Sequence, residues 1–240
     1  MILDEGYQFG LGAFETIAVK AGHPLLLDEH LARLNKTLAF LEIPRSVTAI
    51  EVQGFLSQNN LEDHALKIMA SEKNLVFTMR ENPYTEAQYQ KGATLAFSAI
   101  RRNPTSPLCS HKTLNYGDSI LEKRKALRLG LDDLVFMNFQ GMICEGTACN
   151  LFFVKAGELF TPDLACGLLP GIIRDYICQN HPVNETIIWP DMLRDYQECF
   201  AVNSLMGIMP VSRLEDVEFN SRQTTEEISA QYRKDTEISK

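Results

Sequence analysis

The sequence lacks the features that mark several protein classes. Its six cysteines form no C-x-x-C pair, and no cysteine–histidine spacing typical of a metal site is present. No run of about 18 apolar residues occurs, which argues against a membrane-spanning helix. The N-terminus MILDEGYQFG has no basic stretch followed by an apolar one, so no secretory signal is predicted. Unpaired thiols without a signal predict a cytoplasmic protein.

Positive charge is also scarce in this chain. The 23 basic residues are outnumbered by 31 acidic ones, giving a net charge of −8. Such a surface repels phosphates, which argues against a nucleic-acid partner but not against a small anionic ligand held by local donors. With 240 residues and 45% hydrophobic content, the chain can form one large domain or two small ones.

Hydrophobic spacing predicts a mixture of helices and strands. Leu31, Leu34, Leu38 and Leu41 recur at helical intervals, which predicts a helix capped by Asp28. Further helices are predicted over residues 47–59, 116–129, 170–179 and 225–234, and strands over 14–20, 65–71, 75–80, 93–101, 134–139, 142–145, 151–155, 158–160, 186–189, 199–203 and 208–213.

The segment 102–110 is the best candidate for a linker, because it carries two prolines and two serines without periodicity. It separates a smaller N-terminal domain, residues 1–103, from a larger C-terminal domain, residues 108–240. Helices and strands mix in both halves without regular alternation. We therefore expect an α+β protein of two domains that meet at a cleft.

Two charged residues are candidates for cofactor chemistry. Lys112 stands in a turn-like stretch before a helix, and Glu145 follows 33 residues later in a strand context. A lysine that forms a Schiff base and an acid that holds a pyridinium nitrogen are the minimum for pyridoxal phosphate chemistry. Taken alone, a lysine like Lys112 is more often a solvated side chain, and an acid like Glu145 is more often a turn residue. His30 and His111 lie nearby, and single histidines are more often structural than catalytic.

Three segments are candidates for binding a phosphate or a carboxylate. Leu169-Pro170-Gly171 opens a predicted helix, whose first amides, at Ile172 and Ile173, suit an anion. Arg33 lies beside the leucine stripe, where it either grips phosphate or is solvated. In the loop after Asn203, the Ser204 hydroxyl suits phosphate and the next amide, at Leu205, suits a carboxylate. Asn150 either orients Glu145 or caps the next strand.

Taken in order, six blocks of the sequence resemble the class IV aminotransferase family. The blocks are FGLGAFET, LDEHLARL, HKTLNY, EGTACNLFFV, GLLPGIIRD and NSLMGIMPV, within residues 8–215. The resemblance implies a fold-type IV enzyme with pyridoxal 5'-phosphate in the interdomain cleft, a small-molecule amine substrate and a homodimer. It implies Lys112 as the Schiff-base lysine and Glu145 as the pyridinium partner. The implied phosphate binders are Arg33, Ile172, Ile173 and Ser204, with Tyr116 near the cofactor's phenolic oxygen and Asn150 beside the site.

Within the family, the sequence is most similar to 4-amino-4-deoxychorismate lyase, which forms 4-aminobenzoate and pyruvate for folate synthesis. Thr16 falls where the lyases place a hydroxyl, which implies proton donation during elimination, although a threonine also suits a strand. An aminotransferase for branched-chain or D-amino acids is the alternative, and a non-catalytic binding protein is a third. The segment after Arg80 lacks the second arginine and the glycines common in this loop, so the sequence assigns no partner to a substrate carboxylate.

Overall fold

A computed structural model of the chain describes residues 1–59 and 63–236, which form two compact units. The first unit contains Met1–Pro83 and His111–Tyr116. The second contains Tyr84–Ser110 and the described residues from Gly117 onward. Each unit has its own sheet and its own hydrophobic core.

The first unit is built on a four-stranded sheet in the order β2-β1-β3-β4, antiparallel throughout its described strands. Three helices accompany this sheet, and one face of α2 carries the leucines that the sequence pattern identified. The elements are α1 (Glu5–Phe9), β1 (Gly12–Lys20), β2 (His23–Pro24), α2 (Leu27–Phe40), α3 (Ala49–Ser57), β3 (His64–Ser71) and β4 (Leu75–Arg80).

The core of the first unit lies between β1, β3 and helix α2. Leu34 and Leu38 of α2 are fully buried, as are Ile17 of β1 and Leu66 of β3. Alternate residues of a strand face opposite sides of a sheet, so the residues on either side of Ile17 point away from this core layer. The strand β1 therefore presents a second face, which carries Phe14, Thr16 and Ala18.

The second unit is built on a nine-stranded sheet, counted over the described residues. Eight strands follow the order β10-β9-β8-β11-β12-β5-β6-β7, and β13 pairs with β12. Its elements are α4 (Glu86–Lys91), β5 (Ala93–Arg102), α5 (Gly117–Arg128), β6 (Asp133–Asn138), β7 (Ile143–Gly146), β8 (Asn150–Lys155), β9 (Glu158–Pro162), α6 (Ile172–Asn180), β10 (Val183–Thr186), β11 (Glu198–Asn203), β12 (Gly207–Leu214), β13 (Val217–Glu218) and α7 (Gln223–Asp235).

The central strands of this sheet are buried along their length. All six residues of β6 are buried, and Phe152 of β8 stacks on Phe200 of β11 with ring centroids 5.0 Å apart. Continuous burial explains why β6 is an apolar run rather than an alternating pattern. The predicted helices and strands are mostly found within one to three residues of the predicted ends.

Three local predictions were wrong. Helix α2 begins after Leu26, a left-handed residue at φ 50°, so Asp28 lies in its first turn rather than at the cap. The strand predicted at 186–189 lies earlier, at Val183–Thr186, where it pairs in parallel with β9. Helices α1 and α4 were not predicted, because they are short and have no apolar stripe.

The unit boundaries differ from those of the predicted domains. Strand β5 pairs with β12 and β6, which places the end of the predicted N-terminal domain in the second unit. The segment His111–Tyr116 belongs to the first unit, where Thr113 forms a bridge with Ala13 of β1. In the described part of the chain, no helix is long and apolar enough to cross a membrane.

Candidate active site

Lys112 lies against strand β1 of the first unit. Its carbonyl oxygen accepts a hydrogen bond from the Phe14 amide at 3.0 Å, which ties the segment to the strand. The Lys112 Nζ lies 4.5 Å from the centroid of the Phe14 ring and 5.1 Å from that of Tyr116. The two rings meet edge to face at 5.0 Å. The predicted Schiff-base lysine and the predicted Tyr116 therefore share one aromatic environment, which stabilises the ammonium group.

Thr16 lies on the same face of the sheet as Phe14. The register places Lys67 of β3 directly opposite Thr16, and Met69 opposite Phe14. Side chains directly opposite each other in an antiparallel pair share one face. The Lys67 Nζ lies 4.9 Å from the Phe14 ring centroid, so Lys67 and Lys112 both approach that ring. This face therefore combines a hydroxyl with two amines.

Lys67 was missed by sequence reasoning, because only strand register reveals that it faces Thr16. Burial lowers its pKa, and the charge of Arg80 lowers it further. Arg80 stands at the end of β4, opposite Ala65 of β3, two residues from Lys67. A partly buried cation with a second, exposed cation near it favours the binding of an anion.

Arg33 of α2 is engaged by a buried carboxylate in the first unit. Glu15, fully buried on the core face of β1, accepts from Arg33 Nε at 2.7 Å and from Nη2 at 2.8 Å. His30, also buried, has its Nδ1 2.7 Å from the same carboxylate. The pair fixes the guanidinium in one orientation, and phosphate binding by Arg33 stays a prediction. His30 is structural, as the sequence suggested, and His111 stacks on Phe40 at 3.9 Å.

Glu145 lies on β7 of the second unit with 7% of its surface exposed. Its Oε2 accepts the Leu169 amide at 3.1 Å, and its Oε1 is 3.2 Å from Nη2 of Arg102. A buried carboxylate with these two partners has a fixed orientation. Its chemistry suits the binding of a protonated ring nitrogen.

Asn150 and Glu145 both bind the backbone of Leu169. The Asn150 Nδ2 donates to the Leu169 carbonyl oxygen at 2.9 Å, whereas Glu145 binds the Leu169 N–H. The two side chains thus hold the two polar groups of one residue, just before helix α6. The Asn150 hydrogen bond positions the entrance to the helix, and the two roles predicted for Asn150 stay predictions.

The N-terminus of α6 is built closely around Gly171. A Cβ at this position would overlap Asn150 Oδ1, so glycine is required for the approach of the two segments. Gly171 is the N-cap and provides no side chain for the first amides of this nine-residue helix. Ile172 and Ile173, both buried, begin the helix. The amides of a helix N-terminus suit a phosphate group, and phosphate binding by Ile172 and Ile173 stays a prediction.

The loop of Ser204 and Leu205 is organised by Asn203. Its Oδ1 accepts the Leu205 and Met206 amides, each at 2.9 Å, and its Nδ2 donates to the Ala148 carbonyl at 3.1 Å. The latter bond ties this loop to the segment between β7 and β8. Because the Leu205 amide already has this partner, its predicted contact with a substrate carboxylate stays a prediction, as does the contact of Ser204 with phosphate.

No group of histidine, cysteine and carboxylate side chains suitable for a metal occurs in the parts of the chain that the structure describes. The donors instead comprise an amine between aromatic rings, a buried carboxylate, and an uncapped helix N-terminus behind a required glycine. These are the groups that pyridoxal 5'-phosphate needs.

Comparison with known proteins assigns the chain to a family. The model of the family described as amino-transferase class IV matches residues 12–214. The chain belongs to this family. Class IV aminotransferases and aminodeoxychorismate lyases depend on pyridoxal phosphate, and the chain is an enzyme of this type.

Similar proteins fall into both functional branches of the family. The aminodeoxychorismate lyase of Bacillus subtilis is 25% identical over 97% of this chain and 88% of its own length. The D-alanine aminotransferase of Bacillus licheniformis is 27% identical, over 89% of this chain and 82% of its own. The crystal structure of 4-amino-4-deoxychorismate lyase from Pseudomonas aeruginosa superposes with a TM-score of 0.86 at 26% identity, covering 99% of this chain and 96% of that one. The family and fold are thereby shown, and identity alone does not separate the two activities.

Proposed function

We propose that this enzyme is a 4-amino-4-deoxychorismate lyase, which releases 4-aminobenzoate and pyruvate for folate biosynthesis. The observation that carries the proposal is the placement of the Thr16 hydroxyl opposite Lys67, on the face of β1 where Lys112 lies over Phe14. Elimination needs a base for the carbon-bound proton and a proton for the leaving oxygen, and this face provides both groups.

We assign the two proton transfers of the elimination to Lys112 and Thr16. Bound pyridoxal phosphate supplies the electron sink. Lys112 removes the proton from the amine-bearing carbon of the substrate and holds it at Nζ. The bond between the ring carbon and the ether oxygen then breaks, and the departing oxygen takes up the proton of the Thr16 hydroxyl. The proton held at Lys112 Nζ then returns to Thr16, which restores both residues. Loss of the enolpyruvyl group leaves an aromatic ring, which makes the step favourable.

Substrate binding is assigned to the cationic part of the same face. 4-Amino-4-deoxychorismate has two carboxylates, and Lys67, with Arg80 near it, is suited to bind one of them. Leu205 and Thr16 are the other proposed substrate contacts.

Cofactor binding is assigned to individual residues by their chemistry. We propose Lys112 for the aldehyde, Glu145 for the ring nitrogen and Tyr116 for the phenolic oxygen, with Asn150 in a positioning role. For the phosphate group we propose Arg33, Ile172, Ile173 and Ser204.

We further propose that the enzyme is a cytoplasmic homodimer. Helix α5 exposes Leu121 and Leu127, whose side chains are 57% and 64% exposed, and large exposed apolar residues favour a protein interface.

An aminotransferase for branched-chain or D-amino acids is the second candidate. Tyr116 favours it, because a tyrosine beside the lysine is commoner among the transaminases than among the lyases, and here its ring lies 5.1 Å from Lys112 Nζ. A transaminase would use Lys112 to move one proton between two carbons and would need no proton donor for a leaving group.

A product assay distinguishes the candidates. Enzyme loaded with pyridoxal phosphate receives freshly generated 4-amino-4-deoxychorismate, and 4-aminobenzoate and pyruvate are quantified with time. Parallel reactions contain an amino acid and 2-oxoglutarate. Rapid release of both products, abolished in Lys112→Ala, supports the lyase. Keto acid formation without 4-aminobenzoate would establish the transaminase instead. Absence of both, with no change of visible absorbance in Lys112→Ala, would point to a non-catalytic binding protein.

A further inference from the structure

Arg102, at the end of β5, lies against the carboxylate that we assign to the ring nitrogen. Its Nη2 is 3.2 Å from Glu145 Oε1 and donates to Ser119 Oγ at 3.1 Å. Its side chain is 19% exposed, and that of Glu145 is 10% exposed, so water screens the pair only weakly. Sequence reasoning placed Arg102 in a linker and gave it no role.

The ion pair between Arg102 and Glu145 packs against an aromatic side chain. Phe136 of β6 is the cross-strand partner of Glu145, and the Arg102 guanidinium carbon lies 4.1 Å over the Phe136 ring. The same aromatic side chain thus supports both members of the pair. Arg102 Nε is buried and makes no hydrogen bond within the described residues.

We infer that Arg102 is a positioning residue, whose charge keeps the proton on the ring nitrogen of the bound cofactor rather than on Glu145. This inference rests on the proposed role of Glu145. When the proton is on nitrogen, Glu145 is an anion, and Arg102 attracts it directly. The guanidinium would also repel the protonated nitrogen, but from farther away if Glu145 holds that nitrogen, since Arg102 binds the carboxylate itself. Coulomb energy falls with distance, so the attraction exceeds the repulsion.

The functional consequence is a stronger electron sink. A protonated ring nitrogen withdraws electrons from the reacting carbon, whereas a neutral one withdraws them weakly. Arg102 would therefore assist Lys112 in removing the substrate proton without touching the substrate.

The test uses pyridoxal phosphate labelled with ¹⁵N and measures the nitrogen chemical shift in the loaded enzyme. Arg102→Met and Arg102→Gln remove the charge, Arg102→Lys keeps it, and Arg101→Met removes the charge of the exposed neighbour. We expect the protonated shift in wild type, Arg102→Lys and Arg101→Met. We expect a displacement towards the unprotonated value in Arg102→Met and Arg102→Gln.

The possible results distinguish a failure of this inference from a failure of the role proposed for Glu145. Glu145→Gln should also displace the shift, since it removes the anion. If Glu145→Gln displaces the shift but neither neutral Arg102 variant does, Arg102 has a structural role only and the inference is overturned. If Glu145→Gln has no effect, the role of Glu145 and the inference both fail. The choice between lyase and transaminase is tested separately, by the product assay. If the enzyme proved to be a transaminase, the expected nitrogen shifts would be the same.

Discussion

Arg33 and Glu15 form a two-pronged ion pair, with Nε and Nη2 donating to the two carboxylate oxygens at 2.7 Å and 2.8 Å. Glu15 is fully buried, and His30 contacts the same carboxylate. A buried carboxylate is favourable only while its partners are present, so replacing any one of the three residues should affect the other two. The contact with Glu15 holds Arg33, a predicted phosphate ligand, from the core side of strand β1.

Breaking this pair should destabilise the protein strongly. We expect Glu15→Gln to lower the free energy of unfolding by about 3–5 kcal/mol, because it leaves Arg33 without its buried partner. Glu29→Gln makes the same change at an exposed position of α2 and should change stability by less than about 0.5 kcal/mol. Urea unfolding of both variants measures the difference. Equal effects would show that the Glu15 pair contributes nothing specific.

The pair should also show a defined dependence on pH. Burial alone would raise the pKa of Glu15, but Arg33 and His30 hold it well below its usual value of 4.5. Because the native pKa is depressed, the contribution to stability is present above the unfolded pKa and is lost as pH falls towards the native one. The stability difference between wild type and Glu15→Gln should be present at about pH 6 and shrink as pH falls below about 4.5. A difference that stays unchanged between about pH 6 and about pH 3 would contradict this expectation.

Asn150 and Gly171 should be coupled in cofactor binding. Gly171→Ala places a Cβ where Asn150 Oδ1 lies, which must displace the residue that holds the Leu169 carbonyl. We expect Gly171→Ala and Asn150→Ala each to weaken pyridoxal phosphate binding about tenfold or more, a loss of about 1.4 kcal/mol. The double variant should bind better than additivity predicts, since the clash is gone. Fluorescence titration measures the four dissociation constants, and strict additivity would exclude the coupling.

Lys67 should act on the substrate rather than on the cofactor. Lys67→Met removes a charged partner of a carboxylate, which costs about 1.5–3 kcal/mol and lowers kcat/KM for the lyase reaction roughly 10- to 150-fold. The loss should be mainly in KM, and Lys67→Arg should restore part of it. Lys20→Met, at the exposed end of β1, is the matched control. An unchanged KM in Lys67→Met would remove Lys67 from the substrate site.

The sequence predicted best what depends on local pattern. The leucine spacing predicted α2, and the helix predicted over residues 47–59 is found at Ala49–Ser57, because both patterns are properties of neighbouring residues. The order of the six blocks likewise identified the family and its cofactor, as the match over residues 12–214 confirms.

What the sequence could not predict depends on contacts between distant segments. Asp4, which begins helix α1, is held by Ser71 and Asn74, and no local pattern encodes that partnership. Lys67 faces Thr16 only because of strand register, and a shift by one residue would turn it to the other face. The role of Arg102 could not be predicted either, because its partner Glu145 lies 43 positions later in the chain.

The most direct test of the account is the ratio of elimination to transamination in variants of Thr16. Thr16→Val removes the hydroxyl with little change of shape, Thr16→Ser keeps it, and Thr16→Gly removes the whole side chain. General acid catalysis contributes about 10²–10⁴-fold, so 4-aminobenzoate release should fall by at least about 10²-fold in the valine and glycine variants. It should persist in the serine variant, while transamination stays largely intact in all three. Equal loss of both reactions, or loss of neither, would contradict the assignment of this enzyme as a lyase that uses Thr16.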